Sequence, residues 1–206
     1  MQAHFEGIWV PIVTPFQGEV VDHAALARLA QHLRDNGIRG LVVGATTGEG
    51  ALLRSGEQEA IFATLRDAVP GLPIVLGVSH AATHQAVMLA RDLASLGPDG
   101  LLVTPPTYVR PSQEGVKRHF EAIVEAADIP VLIYNIPYRT GVAVELETLQ
   151  TLATDSRVVG IKESYIHAKI VNSHQILMGS VSTCGCRPGR AGNGGKRLLK
   201  VRVAGR

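Results

Sequence analysis

The sequence predicts an α/β fold built from repeated strand–helix units, and a (β/α) barrel fits it best. Short runs of Val, Ile and Leu alternate with amphipathic segments along most of the chain. The second to sixth runs start on average about 29 residues apart, close to the roughly 30-residue strand–helix–strand unit. These runs are almost wholly apolar, as parallel strands buried on both faces are. A doubly wound sheet has the same alternation and remains an alternative, but the regular spacing of the strand–helix units favours the barrel.

Six apolar runs are predicted as strands, at residues 8–12, 41–43, 74–78, 101–103, 131–134 and 158–162. The helices between them have recognisable ends. Ser55 and Gln58 have the spacing of a capping box, and Ser112 suits the N-cap of a later helix. Gly37 and Gly97 suit the C-terminal ends of two others.

The composition indicates a globular domain. Of 206 residues, 46% are hydrophobic and 18% are charged, which excludes a disordered chain, a collagen-like fibre and a disulfide-stapled miniprotein. No run of about 18 apolar residues occurs, so we expect a cytoplasmic protein without a membrane segment. The net charge is +2, but residues 184–206 hold seven basic and no acidic residues. The rest of the chain is therefore mildly acidic, and the basic pI does not indicate nucleic-acid binding.

The same repeat predicts a seventh strand near residue 187 and an eighth near residue 216, beyond the sequence. A shortened connection makes residues 175–178 the seventh strand, and residues 198–203 are the one later apolar run. We therefore expect residues 1–179 to form a partial barrel that lacks its last strand or strands and C-terminal helices. Residues 180–206 are expected to be a basic, glycine-rich tail. Two explanations stay open: a frame-shifted or truncated gene copy, or a true tail that binds an acidic partner.

Candidate site residues follow the strands, because parallel barrels carry their function at the carboxyl ends of strands. Lys162 ends the sixth run, where desolvation lowers an amine's pKa and leaves it nucleophilic toward a carbonyl carbon. A solvated lysine is the alternative. Tyr134 is either a proton donor or an ordinary strand aromatic. Thr46 and Thr47, between glycines, form either a carboxylate-binding loop or a plain turn. Arg139 is either a carboxylate ligand or a surface arginine.

No metal site is expected. Cys184 and Cys186, with His167 and His174, lack the spacing of zinc ligands. A Gly-x-Ser-x-Gly nucleophile motif is also missing from the sequence. These absences leave the lysine as the strongest candidate for covalent chemistry.

Five segments together carry a resemblance to a known family. They are PIVTP at residues 11–15, GATTGE at 44–49, TPPTYVRPSQEG at 104–115, YNIPYRTG at 134–141 and GIKE at 160–163. In this order, over residues 5–164, they resemble the dihydrodipicolinate synthase and N-acetylneuraminate lyase family. The resemblance implies a (β/α)8 TIM barrel of the class I aldolase type, which acts through a Schiff base.

The resemblance also implies roles for the candidate residues. Lys162 would condense with pyruvate, and Thr47 with its surrounding backbone would hold the pyruvate carboxylate. Thr46, Tyr134 and Tyr108 would form a proton relay, with Tyr108 reaching into the site of a neighbouring subunit.

Specificity for the second substrate is implied by the segment around Arg139, which would bind that substrate's carboxylate. The YRTG end of this segment is similar to the synthase branch, which condenses pyruvate with aspartate semialdehyde in lysine biosynthesis. Thr107 and Val109 depart from the synthase pattern, which usually has Tyr and often Asn there. The expected activity is therefore that of a 4-hydroxy-tetrahydrodipicolinate synthase-like lyase.

The resemblance implies no cofactor, small-molecule substrates only, and a homo-oligomer, expected as a homotetramer. Three alternatives stay open. The first is an aldolase acting on a 2-keto-3-deoxy sugar acid or on N-acetylneuraminate. The second is an inactive homologue that associates with intact copies through the Tyr108 loop. The third is a nucleic-acid binder that uses the basic tail, disfavoured because the tail has no aromatic residues for stacking on bases.

Overall fold

The computed structural model describes residues 5–164, 176–178 and 199–202. The strands in these residues are β1 (Gly7–Pro11), β2 (Phe16–Gln17), β3 (Val20–Val21), β4 (Gly40–Val43), β5 (Ile74–Val78), β6 (Gly100–Val103), β7 (Val131–Asn135), β8 (Val158–Glu163), β9 (Ile176–Met178) and β10 (Leu199–Arg202). The helices are α1 (His23–Asp35), α2 (Glu57–Ala68), α3 (Thr83–Ser95), α4 (Gln113–Ala127), α5 (Pro137–Thr140) and α6 (Leu146–Leu152).

Eight of these strands close into a barrel in the order β1, β4, β5, β6, β7, β8, β9 and β10. Neighbours from β1 through β4 to β9 are parallel, which confirms the predicted α/β barrel class. β10 differs, because it runs antiparallel to both β9 and β1. Within the described residues there is thus no eighth parallel strand, and an antiparallel strand from the late apolar run occupies that place.

The six predicted strands are confirmed to within one residue at each end. The reason is that the strands separate two apolar layers. An inner layer fills the barrel and includes Trp9, Val75 and Leu132. An outer layer lies between the strands and the helices and includes Leu76 and Leu93. Since successive strand residues enter alternate layers, every position is apolar and the run is continuous.

The helix ends agree with the sequence in most places. The Ser112 hydroxyl accepts a hydrogen bond from the Gly115 N–H at 3.3 Å, as an N-cap does. Gly37 and Gly97 follow α1 and α3 with φ values of 80° and 73°. Only glycine adopts this left-handed backbone without strain, so both predicted C-terminal ends are confirmed.

The predicted capping box of Ser55 and Gln58 is wrong. Gly56 is the N-cap of α2, and its side-chain-free backbone adopts φ of 84°. The Glu57 carboxylate accepts the Arg54 N–H at 2.7 Å. Gln58 turns into the interior, where its amide Nε2 donates to the Gly77 carbonyl at 3.0 Å. A buried amide needs such a partner, and this contact to β5 takes Gln58 away from the helix end.

No helix in the described part of the chain is long and apolar enough to cross a membrane.

Candidate active site

The carboxyl ends of β7 and β8 place a phenol and an amine side by side. Tyr134 and Lys162 are register partners on these parallel strands. Their side chains are 1% and 2% exposed, respectively. Nζ of Lys162 lies 3.9 Å from the centroid of the Tyr134 ring. An amine in this position faces the π-electron surface of an aromatic ring instead of water.

Burial governs the ionisation of this amine. Desolvation disfavours the charged ammonium and lowers the pKa of Lys162 to about 8. About half of the amine is therefore neutral near pH 8, against well under 1% for a solvated lysine. The alternative of a solvated strand-end lysine does not agree with this burial. A neutral amine is the form that attacks a carbonyl carbon.

The Tyr134 hydroxyl is also in an unusual state. It is buried and has no hydrogen-bond partner among the described residues. Buried hydroxyls are normally paired, so an unpaired one indicates a position that a ligand or water completes. Tyr134 also lines a cavity in which a ligand would sit.

The segment between Gly44 and Gly50 is folded tightly against the end of β5. A Cβ at Gly50 or at Gly77 would overlap the Gly44 carbonyl, so the backbones approach more closely than other residues allow. Inside this segment, residues Thr46–Gly48 form a 3₁₀ turn. The Thr14 hydroxyl donates to the Gly48 carbonyl at 2.7 Å and ties the turn to the end of β1.

A cavity of about 410 Å³ opens at the carboxyl ends of the strands. Its wall carries hydroxyl groups and one cation, from Thr46, Ser79, Thr104, Tyr134 and Arg139, among other residues. The volume falls within the usual range for small-molecule sites. The cavity is therefore large enough for a keto acid together with a small aldehyde.

The remaining candidates lie at the rim or outside it. Arg139 is exposed, lines the cavity and stacks over the Tyr138 ring at 5.6 Å. Thr47 is half-buried but does not line the cavity. Tyr108 is 90% exposed, and its N–H donates to the Thr140 carbonyl at 3.2 Å. The chain thus brings Lys162 to Tyr134, whereas the Tyr108 side chain extends into solvent.

The backbone of Tyr108 is strained. Its φ is 72°, in the left-handed region that bulky residues rarely adopt. Such strain persists only where the surrounding structure imposes it.

Two buried polar contacts support the site and were missed in the sequence. The Asn135 amide donates to a Glu163 carboxylate oxygen at 2.8 Å, and its carbonyl accepts the Val144 N–H at 3.0 Å. Asn135 and Glu163 are register partners directly beyond Tyr134 and Lys162. The contact therefore holds the two strand ends in register. Adjacent polar residues ending two buried strands were the available signal.

His119 links three elements behind the cavity wall. Its Nε2 lies 3.2 Å from the Thr104 carbonyl, and its Nδ1 lies 3.0 Å from the Thr83 hydroxyl. Because a carbonyl only accepts, Nε2 carries the proton and Nδ1 accepts from the hydroxyl. Burial lowers the pKa of His119 to about 4, which keeps the ring neutral. Thr104 in turn donates to the Ser79 hydroxyl at 2.9 Å on the cavity wall.

In the part of the chain that the structure describes, no three His, Cys, Asp or Glu side chains are grouped as metal ligands. Cys184, Cys186, His167 and His174 lie outside the described residues.

Comparison with known proteins identifies the family of the chain. A model of the dihydrodipicolinate synthetase family matches residues 4–180. The chain belongs to this family. It is 44% identical over 161 residues to a 4-hydroxy-tetrahydrodipicolinate synthase of Synechococcus sp. strain WH7803, covering 77% of this chain and 53% of that protein. The chain spans about half the length of the curated relatives it matches.

Solved structures of the family have the same fold. Dihydrodipicolinate synthase from Aquifex aeolicus superimposes with a TM-score of 0.79 at 34% identity, covering 84% of this chain and 62% of that one. A chloride-inhibited dihydrodipicolinate synthase from Acinetobacter baumannii, solved in complex with pyruvate, gives a TM-score of 0.74 at 34% identity, covering 77% and 55%.

Proposed function

We propose that this member of the dihydrodipicolinate synthetase family forms a Schiff base between Lys162 and pyruvate and condenses it with aspartate semialdehyde. The observation that carries the proposal is the buried Lys162 amine against the Tyr134 ring. The curated relatives are named 4-hydroxy-tetrahydrodipicolinate synthase, and these names support the proposed condensation. The pyruvate complex of a structural relative supports the keto acid.

The reaction begins with the neutral amine. A rotation about the flexible lysine stem brings Nζ to the keto carbon of pyruvate in the larger cavity. The nitrogen bonds to that carbon, and a proton moves from nitrogen to oxygen to give a neutral carbinolamine. A second proton, donated to its hydroxyl group, lets the oxygen leave as water and gives an iminium ion. Tyr134, whose hydroxyl has no partner among the described residues, transfers protons in these steps. Thr46, on the cavity wall, and Tyr108 from a second copy complete the proton relay.

The second half of the reaction uses the charge of the iminium ion. The methyl carbon loses a proton to give an enamine, which bonds to the aldehyde carbon, and the aldehyde oxygen takes up a proton. Water then attacks the iminium carbon, the nitrogen leaves, and Lys162 is regenerated. Thr47 and its backbone would hold the pyruvate carboxylate, which requires the Thr46–Gly48 turn to move because Thr47 does not line the cavity. Arg139 binds the carboxylate of the second substrate. The position of Arg139 on the cavity wall supports this role.

The residue division belongs to the same proposal. Residues 1–179 would carry the barrel part of the site, and residues 180–206 would be the basic tail, apart from β10, which lies in the barrel. The end of the family match at residue 180 supports this boundary.

Trapping with borohydride tests the proposal. The full chain is incubated with pyruvate and sodium borohydride, and the intact mass and the modified peptide are measured. We expect one reduced pyruvyl group on Lys162 and none in Lys162→Ala. A Lys117→Ala control, which removes a half-exposed lysine paired with Glu114, should still be modified. An unmodified wild-type chain with a native circular dichroism spectrum would refute the proposal.

A second candidate differs only in the aldehyde. Thr46, Ser79 and Thr107 place hydroxyl groups on the cavity wall, which suits hydrogen bonding to a polyhydroxylated aldehyde. This observation favours an aldolase for 2-keto-3-deoxy sugar acids. Turnover of pyruvate with aspartate semialdehyde or with sugar aldehydes, compared at equal concentrations, separates the two activities.

A further inference from the structure

A small cavity lies beneath the Lys162 amine, inside the barrel. It measures about 10 Å³ and is lined by Lys162 together with Phe5, Trp9, Val42, Val75, Leu102 and Leu132. A space of this size is at the lower limit for holding one water. The amine therefore has an apolar floor, whereas the larger cavity opens on the other side, at the Tyr134 ring.

The largest side chain in this floor is Trp9. It is 1% exposed and packs on Phe5 with ring centroids 5.2 Å apart. Its register partner on β4 is Gly40, where a Cβ would overlap the indole ring. The space for the indole on β1 therefore exists because Gly40 on β4 has no side chain. The indole N–H has no hydrogen-bond partner among the described residues.

We infer that Trp9 is a positioning residue that seals the barrel beneath Lys162 and keeps water from its amine. The inference rests on the proposed function, because it assigns Trp9 to the amine that forms the Schiff base. Among the described residues, the small cavity at Lys162 is lined by hydrocarbon side chains and the Trp9 indole, and the amine lies against the Tyr134 ring. Glu163, the next residue of β8, points to the opposite face, where it contacts Asn135.

Shrinking the indole should hydrate the amine. A Trp9→Leu change leaves room for about two waters in the floor, and the ammonium is the polar partner without which such a space stays dry. Water beside the amine stabilises the ammonium, and the titration midpoint of Lys162 should rise toward that of a solvated lysine. A midpoint raised by about 1 lowers the neutral fraction at pH 8 about fivefold, and the rate of pyruvate trapping at that pH falls equally.

The test titrates Lys162 directly. The full chain is labelled with ¹³C-lysine, the signal is assigned with Lys162→Met, and its midpoint is followed by NMR from pH 6 to 11. We expect a midpoint near 8 in the wild type and at least 1 higher in Trp9→Leu. Leu26→Ala is the matched control, because it opens a cavity in the outer apolar layer, away from the lysine, and should leave the midpoint unchanged.

The outcomes separate the inference from the proposed function. A Trp9→Leu midpoint equal to that of the wild type, or an equal rise in Leu26→Ala, overturns the role of Trp9. If Trp9→Leu does not fold, Trp9→Phe decides by the same criterion, with a smaller rise expected. A wild-type chain that titrates near pH 8 but is not trapped with pyruvate refutes the proposed function and leaves the seal of Trp9 in place.

Discussion

At the scale of single residues, Lys162 has two properties that oppose each other. Burial makes the amine reactive because it disfavours the ammonium, and the same effect works against folding whenever the amine is charged. The folded pKa of about 8 lies below the usual 10.5. The unfolded chain therefore binds more protons between these two values, and the stability of the fold rises as the pH increases through them.

This opposition predicts that Lys162→Met stabilises the chain. At pH 7, removing the buried amine should raise the free energy of unfolding by roughly 3 kcal/mol, the energy equivalent of the lowered pKa. The gain should shrink as the pH rises from 8 to 10.5, because the wild-type amine is then neutral in the folded state. Urea unfolding of both chains at pH 7 and pH 10 measures it. A variant less stable than the wild type at pH 7 would contradict this account.

At the scale of elements, the fold of the loop after β4 depends on close backbone contact. Gly50 and Gly77 both approach the Gly44 carbonyl, and Gln58 packs on Gly44 while its amide bonds to Gly77. α2 and β5 thus hold the loop in place. The position of Thr46 on the cavity wall follows from this packing.

Gly50→Ala should therefore damage the site. The added methyl group overlaps backbone, which cannot move without shifting the loop, and overpacking of this kind costs about 1–3 kcal/mol. We expect pyruvate trapping to slow at least tenfold. Gly71→Ala is the control. The left-handed backbone of Gly71 makes alanine unfavourable there, but the added methyl group meets open space and the position is remote from the loop. Equal trapping rates in the two variants would show that loop packing does not matter.

How far the sequence predicts these elements depends on which contacts define them. The strands were predictable because both of their faces are buried, which makes each run of residues continuously apolar. The burial of Lys162 followed from its place at the end of such a run. The start of α2 was not predictable, because Gln58 bonds to β5, which lies nearly 20 residues away. Asn135 and Glu163 meet only through the register of two strands, which the spacing of residues does not specify.

At the scale of the whole molecule, the proposed function makes the site span two copies of the chain. Tyr108 is exposed on a strained backbone, whereas Tyr134 is buried. Neighbouring Val109 is also exposed. A proton relay that includes Tyr108 therefore requires a second copy of the chain, as the proposed function states.

Mixing two inactive variants tests this requirement. Lys162→Ala lacks the amine, and Tyr108→Ala should slow trapping at least tenfold. In an equal mixture, half of the dimers are mixed, and one of their two sites is complete, so about a quarter of the wild-type rate should return. The trapping rate is measured after the mixed chains are refolded together. A rate no higher than the mean of the separate variants would contradict a shared site.

The contrast between the buried Lys162 amine and a solvated lysine makes the chain a target for selective labelling. Near pH 8, about half of the Lys162 amine is free base, whereas a solvated lysine is almost wholly protonated. A small electrophile that acylates amines and enters the barrel should therefore modify Lys162 ahead of a solvated lysine. Reporter groups can be attached at the barrel mouth in this way without engineering a cysteine.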